Sequence, residues 1–248
     1  METYCAGAFI CVGLLLGGCG LVLNGSDGPA AKDFGNALSL DGVDDNILIP
    51  SLHANLTYTV SAWVNINHTD TDEEYSTLFD YGNLPALGID ASNPSSWIIY
   101  DDNNEPDGEA LVAPVNHSEQ IDQWVHLTFV YGETEFKLYI DGIEIQSTTN
   151  TAVTLNTSGG LSIGSLIATG EYVTGLIDDV AIWNVAKTPA EILALKDTMT
   201  GTEDGLVAFY NFDSDSVSGT SVQNIVSPGT HDGTLTNGAT TILSTLER

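Results

Sequence analysis

The sequence predicts an all-β protein built as an antiparallel sandwich. From Ala37 onward, apolar residues tend to recur at every second position, which is the period of a strand with one buried face. Asp141-Gly142 separates two such runs, and glycine tolerates the positive φ that a tight hairpin turn requires. Few helical patterns lie between these runs. Many strands at hairpin spacing favour two packed antiparallel sheets.

Two segments show the alternation most clearly. Residues 56–66 (LTYTVSAWVNI) are apolar at every second position from Leu56, and residues 124–131 (WVHLTFVY) are so from Val125. Each predicts a long, half-buried strand. Further predicted strands lie in 136–146 (FKLYIDGIEIQ), 161–164 (LSIG), 175–183 (GLIDDVAIW) and 206–212 (LVAFYNF).

One short helix is predicted near residues 189–196. Thr188 supplies a hydroxyl at the N-cap, Pro189 stands in the first turn, and Glu191 follows three residues after the cap. This is the pattern of a capping box with a favourable first-turn proline.

The charge balance limits the class of partner. The 248 residues contain 5 Lys and Arg against 34 Asp and Glu, which gives a formal net charge of -29. Such a chain repels a phosphate backbone, so nucleic acid is excluded as a partner. A hydrophobic content of 42% is enough for a folded core, and the length suits one large sandwich domain with appendages.

The N-terminal segment predicts export. Residues 1–18 form an apolar run without Lys or Arg, which is typical of a signal peptide. The stretch LLLGGC, ending at Cys19, resembles a bacterial lipobox, so Cys19 is the expected site of lipid attachment and residues 19–33 the tether. Glu2 stands where a positive charge is expected. Cleavage without lipidation and an uncleaved anchor therefore stay open as alternatives.

The ordered set of segments resembles a known family. Residues 34–50 (FGNALSLDGVDDNILIP), 58–66, 123–131, 136–145, 161–165 and 175–192 (GLIDDVAIWNVAKTPAEI) are similar, in that order, to the laminin G-like, concanavalin A-type jelly-roll domains of bacterial surface and secreted proteins. The resemblance covers Phe34 to about Leu195. It implies a two-sheet jelly roll, and we assign residues 34–248 to this domain.

The tail, residues 205–248, resembles a segment that often precedes such domains. Here it follows the segments that carry the resemblance. We expect it to supply an edge strand, either to its own sandwich or to a neighbouring copy, in which case copies would join into a homopolymer.

The resemblance also implies a bound Ca²⁺. Members of this family commonly hold a structural Ca²⁺ between the N-terminal hairpin and the acid-bearing strand near the C-terminal end. The matching positions are Asp41, Asp44 and Asp178. Carboxylate and carbonyl oxygens suit this cation. The alternative is that these residues only form turns and exposed charges.

Residues 105–109 (EPDGE) place acids at alternate positions, as some sugar-cleaving sandwich enzymes do. Catalytic acids there would need an uninterrupted strand. Pro106 and Gly108 are strand breakers, so the segment is interpreted as an acidic loop and no catalytic residue is predicted.

A candidate ligand site lies just before this loop. Trp97 and Tyr100 lead into Asp101 and Asp102, which would combine aromatic rings for sugar faces with carboxylates for sugar hydroxyls. The alternative is that Trp97 and Tyr100 belong to the core of a strand.

These observations favour a non-catalytic, calcium-binding, exported surface protein that recognises a glycan or another surface component. Its contact with the membrane would be the lipid anchor alone, at the outer membrane or cell surface, and the alternative is an extracellular protein. A second hypothesis is a self-assembling structural subunit, and a third is a glycoside hydrolase.

Overall fold

The fold consists of short strands joined mainly by turns and loops. The computed structural model describes residues 35–50, 52, 57–67, 75–81, 86–90, 96–100, 109–116, 120–149, 160–166 and 170–244. These residues all belong to one compact unit, Lys32–Arg248. Within them the elements are β1 (Asn36–Asp41), β2 (Asn46–Ile49), β3 (Tyr58–Ile66), β4 (Tyr75–Asp80), β5 (Ala86–Asp90), β6 (Ser96–Tyr100), β7 (Glu109–Asn116), β8 (Val125–Tyr131), β9 (Glu135–Ile140), β10 (Ile143–Thr149), β11 (Leu161–Ile163), β12 (Thr174–Trp183), α1 (Pro189–Thr198), β13 (Leu206–Tyr210), β14 (Val217–Ser218), β15 (Ser221–Val222), β16 (Gly233–Thr236) and β17 (Thr240–Leu243).

The strands form two sheets. Sheet A has the order β10-β9-β8-β3-β12-β1-β17, with β13 also paired to β12, and sheet B has the order β14-β15-β16-β2-β11-β4-β5-β6-β7. Neighbouring strands run antiparallel in both sheets. The predicted all-β, antiparallel jelly-roll sandwich with a single short helix is therefore confirmed for the part of the chain that the structure describes.

The core lies between the inner faces of the two sheets. β3 and β8 pair in register, with Val60 opposite Phe129, and contribute the apolar positions predicted from their alternation. Full burial of each large apolar side chain contributes about 1.5–3 kcal/mol. The core residues of these two strands are Tyr58, Val60, Ala62, Val64 and Ile66 of β3 and Val125, Leu127, Phe129 and Tyr131 of β8.

β12 organises sheet A because it pairs along one edge with β3 and along the other with both β1 and β13. Its register against β3 shifts between Asp178 and Ala181, and Asp179 has a φ of 50°. This irregularity is a β-bulge, which the period-two pattern of the sequence does not reveal. Asp178 is buried and Asp179 is half-buried.

The predicted hairpin at Asp141-Gly142 joins β9 to β10. Both residues have positive φ, 52° for Asp141 and 80° for Gly142, as the expected type of turn requires. The Asp141 carboxylate also accepts a hydrogen bond of 3.0 Å from the backbone N–H of His126. The turn is therefore tied to β8 as well as to its own strands.

α1 begins at the predicted cap. The Thr188 side chain accepts from the Glu191 N–H, and the Glu191 carboxylate accepts from the Thr188 N–H at 2.8 Å. The Thr188 hydroxyl also donates to the Glu191 carboxylate at 2.6 Å. This bond and the one from the Thr188 N–H, together with the nearby Lys187 ammonium, hold the pKa of Glu191 below its usual range. The helix packs on the outer face of sheet A, where Ile192 contacts Val130 and Tyr139.

The tail contributes strands to both sheets of its own chain. β13 extends along β12, β16 pairs with β2, and β17 pairs with β1 as the last strand of sheet A. The tail therefore completes this sandwich at one side. Among the described residues, no helix is long and apolar enough to cross a membrane.

We expect Thr188→Ala to lower the free energy of unfolding by about 1 kcal/mol, because the first turn of α1 loses its cap. Urea denaturation monitored by tryptophan fluorescence measures the change. The matched control is Thr198→Ala at the exposed end of the same helix, whose hydroxyl bonds only to the Ala194 carbonyl. Equal effects of the two substitutions would contradict a specific role for the cap.

Candidate cation site

The turn between β1 and β2 carries the most compact group of acids in the described part of the chain. β1 belongs to sheet A and β2 to sheet B, so the sequence Asp41-Gly42-Val43-Asp44-Asp45 forms a corner between the sheets. Gly42 has a φ of 78°, and a Cβ placed on it would lie 1.9 Å from the Thr174 hydroxyl. The tight corner therefore requires glycine at this position.

Three carboxylates meet at this corner. One oxygen from each of Asp41, Asp44 and Asp45 lies within 4.8 Å of the others. The loop holds them in place, because the Asp41 carboxylate accepts the Val43 N–H at 2.9 Å and the Asp45 carboxylate accepts the Asp41 N–H at 3.1 Å. Asp41 and Asp44 are exposed, so the group is open to solvent on one side.

Asp45 is the unusual member of this group. Only 4% of the residue is exposed, and its Oδ1 is buried without a hydrogen-bond partner among the described residues. Burial raises the pKa of the Asp45 carboxyl, and the neighbouring carboxylates of Asp41 and Asp44 raise it further, although the bond from the Asp41 N–H opposes this. A buried, partly unsatisfied carboxylate beside two other acids is unfavourable unless a cation compensates it.

The described side chains supply no such cation. The three lysines in this part of the chain form their ion pairs elsewhere: Lys137 with Glu135 and Glu144, Lys187 with Glu191, and Lys196 with Asp197. An arrangement of carboxylate oxygens with one solvent-facing side fits Ca²⁺, which accepts six to eight oxygen ligands in flexible geometry. The residues present therefore fit a hard cation.

The structure brings two of the three predicted metal ligands together. Asp41 and Asp44 lie together, whereas Asp178 is absent from the group that the described residues form. Asp41 pairs with Thr174, and Asp178 lies four residues further along β12, or about 13 Å at the usual strand rise. Its Oδ1 accepts the Asp179 N–H at 2.8 Å within the bulge.

The member of the group that the sequence analysis missed is Asp45. A signal for it exists, because Asp45 has the same parity as Ile47 and Ile49, which are both fully buried in β2. Successive side chains of a strand point to opposite faces, so Asp45 had to point inward as well. Asp44, the preceding residue, points to solvent.

The predicted aromatic platform is corrected at Trp97. This residue is 0% exposed and belongs to the main core, and its indole N–H donates to the Gln120 side-chain oxygen at 2.7 Å. A fully buried ring has no face that a sugar could reach. The side chain of Tyr100 and the whole of Asp101, Asp102 and Cys19 lie outside the described residues.

A polar network adjoins the corner on the outer face of sheet B. The Asn46 amide donates to Ser165 at 2.7 Å and to Ser162 at 3.3 Å, and the Asn46 side-chain oxygen is bonded to the Thr236 hydroxyl. All four side chains are buried or half-buried. The network links β2, β11 and β16 immediately beside the carboxylates.

Two antiparallel sheets with this strand order define the class of protein, a jelly-roll sandwich of the concanavalin A type. Residues 41–193 match the Laminin_G_3 family model, described as the concanavalin A-like lectin/glucanases superfamily. The match spans more than half of the chain, so the protein belongs to this family. The comparison with curated proteins finds no match.

Solved structures share the fold at low sequence identity. A provisionally assigned carbohydrate-binding protein from Bacteroides ovatus aligns with a TM-score of 0.69 at 16% identity, over 87% of this chain and 62% of its own length. The heptameric SAP-like pentraxin of Limulus polyphemus gives 0.61 at 14% identity, over 87% and 98%. A Trypanosoma rangeli sialidase gives 0.52 at 21% identity, over 64% and 27%.

These likenesses establish the fold alone. The chain spans under two thirds of the Bacteroides ovatus protein and 27% of the sialidase. Whether this protein binds or cleaves a ligand must therefore be decided from its own residues.

Proposed function

We propose that the protein is a non-catalytic, exported carbohydrate-binding domain that Ca²⁺ stabilises. Membership of the concanavalin A-like lectin/glucanases superfamily supports the proposal that the protein binds carbohydrate. The fold shared with the Bacteroides ovatus protein points in the same direction. The proposal of Ca²⁺ binding rests on the buried Asp45 Oδ1, which lies beside the carboxylates of Asp41 and Asp44.

The cluster of three carboxylates, Asp41, Asp44 and Asp45, is better suited to binding a cation than to acid–base chemistry. A glycosidase places two carboxyl groups about 5–10 Å apart on either side of a bound sugar. Here three carboxylate oxygens converge within 4.8 Å on a turn, and Asp45 is too buried to reach a substrate. Bound Ca²⁺ would neutralise this group and hold β1 and β2 together at the corner.

We expect millimolar Ca²⁺ to raise the melting temperature of the wild-type protein relative to EGTA. Saturation at about 100 times the Kd would add about 2.7 kcal/mol to the free energy of unfolding. Asp45→Asn removes the central charge, so we expect it to abolish most of this gain while leaving the metal-free protein at least as stable as the wild type.

The matched control is Asp215→Asn, which neutralises an exposed aspartate outside the carboxylate group. Calorimetric titration of Ca²⁺ into each variant measures the affinity directly. A wild-type protein that takes up no Ca²⁺ would overturn the calcium proposal, and so would an unchanged affinity in Asp45→Asn.

For the glycan, the proposed contact residues are Tyr100, the last residue of β6, and Asp101 and Asp102, which come next in the sequence. We expect Tyr100→Ala to weaken binding of a glycan selected on an array by at least about fivefold, because stacking on an aromatic ring contributes about 1 kcal/mol or more. Asp101→Asn combined with Asp102→Asn should weaken it further. Binding is measured by titration of the selected glycan.

The control for this test is Glu105→Gln combined with Glu109→Gln, which should leave binding unchanged. The same double variant separates a binder from an enzyme. Hydrolysis of oligosaccharides by the wild type that disappears in the double variant would establish a glycoside hydrolase and remove the proposal of a non-catalytic domain.

For location, we propose that residues 1–18 direct export and that Cys19 carries a lipid at the outer membrane or cell surface. In a bacterial host, we expect the wild type in the membrane fraction and Cys19→Ser in the soluble exported fraction or as unprocessed precursor. Cys11→Ser, within the same apolar run, is the control and should behave as wild type. Membrane retention and normal processing of Cys19→Ser would contradict lipid attachment at this residue.

A further inference from the structure

The cation site has a second wall that comes from the tail. The β16–β17 connection also passes from one sheet to the other, since β16 pairs with β2 in sheet B and β17 pairs with β1 in sheet A. The register places Thr236 opposite Asn46 and Thr240 opposite Ser39. The turn at Asn237-Gly238 therefore lies against the β1–β2 corner.

The contacts between the two turns are specific. The Asn237 side-chain amide donates to the backbone carbonyl of Asp44 at 2.8 Å, and the Thr236 hydroxyl donates to the Asn46 carbonyl at 3.0 Å. A Cβ placed on Gly238 would lie 3.0 Å from Asp45 Oδ1. Gly238 thus packs directly over the buried carboxylate oxygen that has no hydrogen-bond partner among the described residues.

Both turn residues also have backbone angles that restrict their identity. Asn237 has a φ of 57° and Gly238 a φ of 146°, and the Gly238 N–H and Ala239 N–H both donate to the Thr236 carbonyl. Asparagine and glycine are the residues that adopt such angles most readily. The turn is therefore preformed, and its amide is held in position to bond to the acidic loop.

We propose that the β16–β17 turn is a wall of the cation site, so that Ca²⁺ binding and docking of this turn stabilise each other. This inference rests on the calcium proposal above. Asn237 acts as a positioning residue, because its amide fixes the backbone between Asp44 and Asp45. Gly238 sets the space available over Asp45 Oδ1.

The coupling has a physical cause in each direction. Without a cation, three carboxylates at one corner repel each other, and Asp45 gains by moving toward water, which displaces the turn packed over it. The turn can respond because β17 is the last strand of sheet A, and Ile242 and Leu243 on it are exposed. By thermodynamic linkage, if docking of the turn raises the Ca²⁺ affinity by some factor, bound Ca²⁺ raises the equilibrium constant for docking by the same factor.

The first readout is hydrogen exchange of the full-length protein, measured by mass spectrometry in Ca²⁺ and in EGTA. We expect amides in 233–244 to exchange at least about tenfold more slowly with Ca²⁺. Peptides from β8 and β9 serve as the internal control and should change much less, because those strands lie on the far side of β12 and β3 in sheet A.

The second readout is the Ca²⁺ affinity of turn variants, from calorimetric titration. Asn237→Gly keeps the positive φ and removes the amide donor, so we expect affinity to fall several-fold. Gly238→Ala places a methyl group against Asp45 Oδ1 and should weaken binding by about tenfold or more. Gly219→Ala is the matched control, because Gly219 also has positive φ, 62°, but nothing lies within 4 Å of an added Cβ.

The outcomes separate this inference from the calcium proposal. If the wild type binds Ca²⁺ but exchange in 233–244 is unchanged and Asn237→Gly binds like the wild type, the coupling is wrong and the calcium site stands. A wild type that binds no Ca²⁺ overturns both. Asn237→Gly carries the test if Gly238→Ala does not fold.

Discussion

The sandwich is closed at one end by two chain crossings that lie side by side. β1–β2 and β16–β17 each join sheet A to sheet B, and their strands pair with one another across both sheets. Tight turns leave little room at such a corner. Because Asp45 shares the parity of Ile47 and Ile49, the same alternation that builds the core also places a buried carboxylate at this corner.

This carboxylate has an electrostatic consequence for the whole domain. The chain has a formal net charge of -29, and the described lysines are engaged with Glu135, Glu144, Glu191 and Asp197. No protein cation in the described part of the chain offsets the corner, so its stability depends on burial elsewhere or on an added ion. Asp41 and Asp44 keep one side open, and an ion could therefore enter without unfolding the corner.

Strong local patterns predicted most of the architecture. The period-two runs of β3 and β8, the Asp141-Gly142 turn and the capped helix all depend on neighbouring residues, and each has the predicted type and position. The bulge after Asp178 was not predictable, because it arises from how β12 fits β3 on one edge and two strands on the other. The burial of Trp97 was not predictable from local pattern either, because alternation shows which residues share a face of a strand but not which face is buried. The burial of Asp45 could have been predicted by continuing the alternation of β2 two residues toward the N-terminus, from Ile47 to Asp45.

The family match ends at residue 193, but residues beyond this point also form the corner. All three acids lie within or at the start of the match, whereas Asn237 and Gly238, which contact their loop, lie in the tail. β13 likewise completes the edge of β12 that β1 leaves open. A domain defined by the match alone would keep the carboxylates and lose the turn packed over Asp45. The tail is therefore part of the structural unit, and the candidate cation site depends on the chain through at least β17.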